Sequence, residues 1–444
     1  MKGQARLLYQ KQIEELKKKK LEEKIKRHST AKKHYLDTPL RKPIFDLLFT
    51  QGSICHEAIF TLPPETSKKI CARIWKLTNL GYLKNEKTHH GNVFVLNDKY
   101  EEEFRKTFGD TPVDYYKNFV AGTANNEQTE MSMLTTFTHS PSSERGKLVM
   151  SESLRAYSFS YLRTFMYLCG FNSTLTTRQI LHFQKEKVGN EETNYYSRYE
   201  ILNDIKVKEI EQIYDDETER VRPTFKARTR FKGMLTAKDD VFVIFFPHKN
   251  LMKWYHSVEY NFERFMNLYI KERVNEEKTG TNLFVCYDNE AVNRILDNTE
   301  RKKIMKELLY VDGLRKKEFM VVTESYSGMK HLREMTEKNW RNEMHKKVGL
   351  TFNEVKRANE SYSWCDAIRH EDDKEIVMLN YLIPNLCKLQ PFGHLCRTNT
   401  NSKREFKVFC YAYQRSVIDH VFESAKVIVE EIEESKEALP IERV

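Results

Sequence analysis

The stretch 42–98 constrains this chain more than any other, because its apolar and turn residues follow one another in a helix–helix–helix–hairpin order. An apolar run comes first (Pro43, Ile44, Phe45, Leu47, Leu48, Phe49), and the turn Gly52-Ser53 leads into a short second helix carrying Ala58, Ile59 and Phe60. Pro63-Pro64 stop that helix, since proline fixes φ, and a Thr or Ser in Thr66-Ser67 caps the next one. The third helix is expected over 67–80. Ile70, Ile74, Leu77 and Leu80 fall on one side of it and Lys68, Lys69, Ala72, Arg73 and Lys76 on the other. Two short strands, Gly81-Tyr82-Leu83-Lys84 and Val93-Phe94-Val95-Leu96, flank the polar tip Lys87-Thr88-His89-His90-Gly91-Asn92. This is the order of a winged helix-turn-helix, with the basic face on the helix that such a fold lays in a major groove. The residues expected to meet double-stranded DNA are Ser67, Lys68, Lys69, Arg73 and Lys76 on the helix and Lys84, Lys87, His89 and His90 on the wing. No Asn or Gln is read at the exposed helix positions, so base-specific readout is not indicated. The competing readings are a solvated helix face and a protein–protein module.

A chain of 444 residues with 40% hydrophobic residues is long enough for two or three domains and apolar enough to fold them. Its formal net charge of +10 favours polyanions, although over this length the distribution matters more than the sum. The eight cysteines show no Cys-x-x-Cys spacing and sit mostly in apolar runs. The expectation is free thiols in a reducing cytoplasm, with no zinc and no disulfide framework. No signal peptide and no run of about 18 apolar residues is found, so no membrane partner is expected.

The pass along the chain divides it into a basic charged helix at 1–36, the winged helix at 37–110, a polar linker at 111–146, an α/β domain at 147–435 and a charged tail at 436–444. The linker rests on polar, turn-rich runs such as Thr123-Ala124-Asn125-Asn126 and Ser140-Pro141-Ser142-Ser143. After it an apolar helix is expected over 148–169, ended by Gly170. Strands are expected at 241–246, 283–287, 319–322, 376–379 and 406–411, separated by helices at 252–273, 289–296, 328–347, 384–389 and 417–434. Apolar strands alternating with amphipathic helices predict an α/β sheet covered by helices, a pattern compatible with a degenerate nuclease-like fold.

Chemistry-bearing motifs are scarce. There is no Walker A loop, Gly-x-Gly-x-x-Gly, Gly-x-Ser-x-Gly or His-Glu-x-x-His, so no cofactor, metal or catalytic residue is assigned. A restriction-nuclease-like site needs an acid plus a Glu/Asp-x-Lys pair on the next strand. Asp239-Asp240, Glu259 and Glu263 are the nearest carboxylates, but 241–246 contains no acid. The alternating cations Lys226, Arg228 and Arg230, with Lys232, form a second DNA-binding candidate, against the ordinary role of an edge strand guarded by charge. Tyr195-Tyr196 suggests a strand-transfer nucleophile, but packing is the simpler role.

The order of features resembles winged-helix proteins of bacterial conjugative elements and plasmids, akin to the replication-relaxation family. The resemblance runs through the segment 42–98, Ser151-Glu152-Ser153 opening an apolar helix, and Tyr196-Ser197-Arg198-Tyr199-Glu200-Ile201. It continues through Arg230-Phe231-Lys232-Gly233-Met234-Leu235 into the strand at 241–246, then Leu251-Met252-Lys253-Trp254 with Glu259, and the elements near 376–411. It implies a DNA-binding protein of a mobile genetic element, serving replication, transfer or transcription control, and no established reaction. The alternatives are a metal-dependent nuclease or relaxase-like enzyme and a protein-interaction scaffold. A homodimer through the helices at 252–273 and 417–434 is also expected, giving avidity on DNA.

Overall fold

The computed structural model describes residues 42–87, 90–117, 157–171, 194–198, 201, 231–248, 256–300 and 318–443. The charged helix at 1–36, His89, most of the linker, Ser151–Ser153, the basic run Lys226, Arg228, Arg230, and 251–254 lie outside these residues. So does the side chain of Glu259.

The N-terminal unit runs α1 (Lys42–Gln51), β1 (Ser53–Cys55), α2 (His56–Ile59), α3 (Pro64–Asn79), β2 (Leu83–Lys87), β3 (Asn92–Leu96), α4 (Glu101–Phe108) and α5 (Asp110–Tyr115). Its three strands form an antiparallel sheet in the order β1-β3-β2. The apolar face of α1 is buried, with Phe45 and Phe49 packed on Phe104 and Phe108 of α4. Helix α3 begins three residues earlier than its sequence suggests. Pro63 is the N-cap and Pro64 takes the first helical position, where a missing amide costs nothing. The helix ends in a Schellman motif: Gly81, at φ 86°, donates to Thr78 O and Tyr82 donates to Leu77 O.

Helix α6 (157–168) is buried along its whole described length. It lies between the N-terminal sheet and a second, five-stranded sheet. Toward β1, Ser160 Oγ is 2.8 Å from Ser53 Oγ, Thr164 Oγ1 accepts from the Cys55 amide, and Arg163 donates to Gln51 O. On its other side Arg163 donates to Ser197 Oγ, and Tyr161 stacks on Phe246 at 5.7 Å. One buried apolar cluster consequently contains both Ile44, Ile54 and Phe94 of the first unit and Leu235, Phe242 and Leu283 of the second.

The second sheet holds β4 (Asn194–Ser197), β5 (Phe231–Thr236), β6 (Val241–His248), β7 (Gly280–Cys286) and β8 (Phe319–Thr323), in that spatial order. Its first three strands form an antiparallel meander, and β6, β7 and β8 run parallel. The crossovers are α7 (His256–Arg273) and α8 (Asn289–Glu300). A third sheet follows α9 (Tyr326–Glu334), α10 (Trp340–Lys347) and α11 (Phe352–Ser361). It comprises β9 (Ala367–Glu371), β10 (Lys374–Asn380), β11 (Arg404–Tyr411) and β12 (Ile428–Ile432), ordered β12-β11-β10-β9, with α12 (Leu386–Thr398) and α13 (Arg415–Val421) between its parallel strands. Asp372 and Asp373, at φ 46° and 63°, make the tight turn of the β9–β10 hairpin. The chain is thus mixed α/β.

Three sequence expectations are corrected here. The single helix at 328–347 is two helices, broken where Asn339 takes a left-handed φ of 57°. The helix at 417–434 ends at Val421, and Val427-Ile428-Val429 leads into a strand paired with β11. β-Branched runs favour that pleated setting. Val417, Ile418 and Phe422 are buried within the chain, so no continuous helical face is left there to pair two copies. The charged tail, whose composition suggests a loose end, is packed: Leu439 is buried, and Glu442 accepts from Tyr326 Oη at 2.8 Å.

Buried polar groups in this core carry a pH dependence. His331 is enclosed, with Nε2 donating to Leu382 O (2.7 Å) and Nδ1 accepting from Tyr413 Oη (2.5 Å). Burial pulls its pKa from 6.5 down to about 4, and burial also draws His345 down. The unfolded chain takes up a proton below its ordinary histidine pKa while the fold refuses one until about pH 4. Stability is therefore lost as pH falls through that window. Between pH 6.5 and 5 we expect a loss of about 2 kcal/mol from His331. Urea midpoints across this range will show it, and His331→Gln should flatten the profile.

Candidate nucleic-acid interface

Helix α3 has one buried and one exposed stripe. Ser67, Ile70, Ile74 and Leu77 face the core. Lys68, Lys69, Ala72, Trp75, Lys76 and Asn79 are exposed. Lys68 pairs with Glu65 at 3.4 Å, both side chains being more than 70% exposed, a contact worth little in water. Lys69 takes part in no ion pair among the described residues. On the hairpin, Lys84 and Lys87 are exposed; Lys84 lies 3.5 Å from Asp98, and Lys87 has no ion pair among the described residues.

The structure therefore brings Lys68, Lys69 and Lys76 onto one surface and leaves three candidates elsewhere. Ser67 is buried, because the helix starting at Pro64 encloses it in its first turn. Arg73 is half-buried along a crevice lined by Pro43, Ile44, Tyr167 and Ile441. It stands three residues after Ile70 and four before Leu77, so it borders the buried stripe. His90 is turned toward α6, its ring centroid 5.7 Å from that of Tyr157. Sequence reasoning missed Trp75 and Asn79, although their spacing from Lys68 and Ala72 places all four on one helix face. Lys232 lies over the Phe159 ring at 4.2 Å and does not project as part of a basic stripe.

The tip end of the hairpin is fixed by Glu57, which nothing in the sequence marks. Its carboxylate accepts from the Asn92 amide (3.1 Å), Tyr157 Oη (3.2 Å) and Cys55 Sγ (3.4 Å). Burial pushes both the Cys55 thiol and the Tyr157 phenol up, so both stay protonated donors. A Cβ on Gly91 would lie 2.2 Å from the same carboxylate, so a larger residue there would push Glu57 off these partners.

Of the acids weighed for the nuclease alternative, Asp239 and Asp240 are bonded to the start of α10. Asp239 accepts from the Asn339 amide at the start of α10. Asp240 Oδ2 accepts from Trp340 Nε1 and Arg341, each at 2.6 Å, and Arg341 also reaches Glu318 at 2.7 Å. None of the strands β4 to β8 contains Asp or Glu. Among the described residues no group of three His, Cys, Asp or Glu side chains is placed to hold a metal ion. Among them, too, no helix is long and apolar enough to cross a membrane. No protein-family model, curated protein or solved structure matches the chain.

Two outcomes follow from these contacts. Asp240→Ala removes one member of a largely buried pair and should cost about 3 kcal/mol of stability, read from urea melts. Glu57→Ala should speed amide exchange across 84–96 in hydrogen-exchange mass spectrometry and leave α1 protected, and Glu57→Gln should restore part of that protection.

Proposed function

We propose that the unit from α1 to β3 is a winged helix-turn-helix and that the protein binds double-stranded DNA through α3 and the β2–β3 hairpin, without catalysis. The observation that carries this reading is the exposed basic surface of Lys68, Lys69 and Lys76, continued on the hairpin by Lys84 and Lys87. The element order supports it: a three-helix arrangement followed by an antiparallel hairpin is what presents a helix to a major groove and a wing beside it. Lysines favour phosphate contacts, and Asn79 on the same face is a side chain suited to a base edge. The mobile-element setting, in replication, transfer or transcription control, rests on the resemblance described above.

Strands β4 to β8 carry no Asp or Glu, so the α/β region is read as a scaffold, the degenerate nuclease-like fold being the expectation that this would suit.

The test uses Lys69 on the helix and Lys87 on the hairpin, neither of which makes an ion pair among the described residues. Lys69→Ala/Lys87→Ala should weaken duplex binding about tenfold near 100 mM salt and lower the slope of log K against log salt by about two. Neither side chain touches the core, so thermal stability should not change. Equal affinity and slope in wild type and double variant would remove the assignment of this face.

A further inference from the structure

The exposed face of α3 holds more than charge. Phe60, just after α2, is 59% exposed, and Trp75, among the lysines, is 36% exposed. His56 joins them: its ring lies 4.8 Å from Phe60 and 6.0 Å from Trp75, edge-on to both. Behind the row, the buried ring of Phe94 meets Trp75 at 5.2 Å and 87° and His56 at 5.9 Å. The outer rings are thus braced from within, and Trp75 shares the exposed face of α3 with Lys68, Lys69 and Lys76.

Burial of apolar surface is what folding achieves, so two large rings held open next to unburied cations call for a ligand that is both flat and anionic. Base-paired DNA offers its grooves only base edges, because stacking covers the base faces. An unpaired base exposes its faces, and stacking on an aromatic ring is the usual way a protein holds one. The phosphates on either side of such a base fall within reach of lysines on the same helix face.

We propose that this surface takes DNA in which duplex meets unpaired strand, with one unpaired base stacking on the Phe60–His56–Trp75 row while the lysines of α3 hold the adjoining phosphates. The proposal rests on the reading that this face binds DNA and narrows its substrate to forked or partly melted DNA.

The experiment measures anisotropy of three labelled probes on the full chain: a blunt 20-base-pair duplex, the same duplex with two non-complementary five-nucleotide arms, and the single strand alone. Wild type should bind the forked probe about tenfold more tightly than the blunt one, the gain of one stacked base. Phe60→Ala, an exposed position whose loss leaves the core intact, should abolish that preference and leave blunt-duplex affinity as it was. Equal wild-type affinity for forked and blunt probes would overturn the proposal while leaving duplex binding standing. Phe60→Ala weakening both probes alike would also overturn it, by making the rings part of the general duplex contact. No binding to any probe would remove both this proposal and the function it rests on. A fall in molar mass on Phe60→Ala, with fork affinity unchanged, would assign the rings to a second copy of the chain.

Discussion

The rest of the structure depends on how helix α6 closes the open side of β1. A three-residue edge strand has backbone donors and acceptors that no further strand satisfies. Here the hydroxyl of Thr164 accepts from the Cys55 amide and donates to Ser160 O, so both of its functions are used inside the core. Ser160 meets Ser53, and the buried guanidinium of Arg163 spans from Gln51 O to Ser197 Oγ on the far side. Polar atoms taken out of water must be paired or they cost free energy. These bonds join β1, α6 and β4, and they hold the N-terminal unit to the α/β sheets.

That arrangement explains why one part of the fold is legible in the sequence and another is not. Helices α1 and α3 carry apolar residues at helical spacing, and β7, β8, β10 and β11 are apolar runs of strand length, so each declares itself. Strand β9 reads Ala-Ile-Arg-His-Glu and buries only its first residue fully, so no alternation marks it. Helix α11 buries only Ala358, and its one local signal is the Thr351/Glu354 capping box. The segment after Val421 is ambiguous by composition. A run of Val and Ile suits helix or strand until a partner strand is present, and the partner, β11, is set by the whole domain. The candidate site divides in the same way. Lys68, Lys69 and Lys76 follow from helical periodicity alone. The burial of Ser67 requires knowing that Pro63 and Pro64 start the helix, and the turn of His90 toward Tyr157 requires knowing where α6 lies.

Carboxylates that a sequence offers as catalytic candidates have a structural use here. Asp239 and Asp240 sit in the turn between β5 and β6 and reach across to α10. There, one accepts the amide of a left-handed residue and the other holds an indole and a guanidinium. The guanidinium lies 4.6 Å over the same indole, so charge, hydrogen bond and ring contact reinforce one another. Asp239 stays exposed, whereas Asp240, bonded in this way, lies buried against its partners. Its spacing in sequence, next to a strong strand, is nevertheless what a catalytic pair would show. Partners rather than spacing decide the role.

Glu57 ties the hairpin to helix α6. It is one carboxylate on a four-residue helix, yet it holds the hairpin at Asn92 and the interdomain helix at Tyr157. A hairpin anchored at only its strand ends would sweep its lysines through a wide arc, and binding would have to pay for ordering them. Anchored at its tip as well, it presents Lys84 and Lys87 in a fixed relation to the lysines of α3. The same bond means that any displacement of the hairpin on an anion's surface must either break the Glu57 contacts or carry Tyr157, and with it α6, along. Since α6 is packed against β6 through Tyr161 and Phe246, the basic surface and the α/β sheets are mechanically one body.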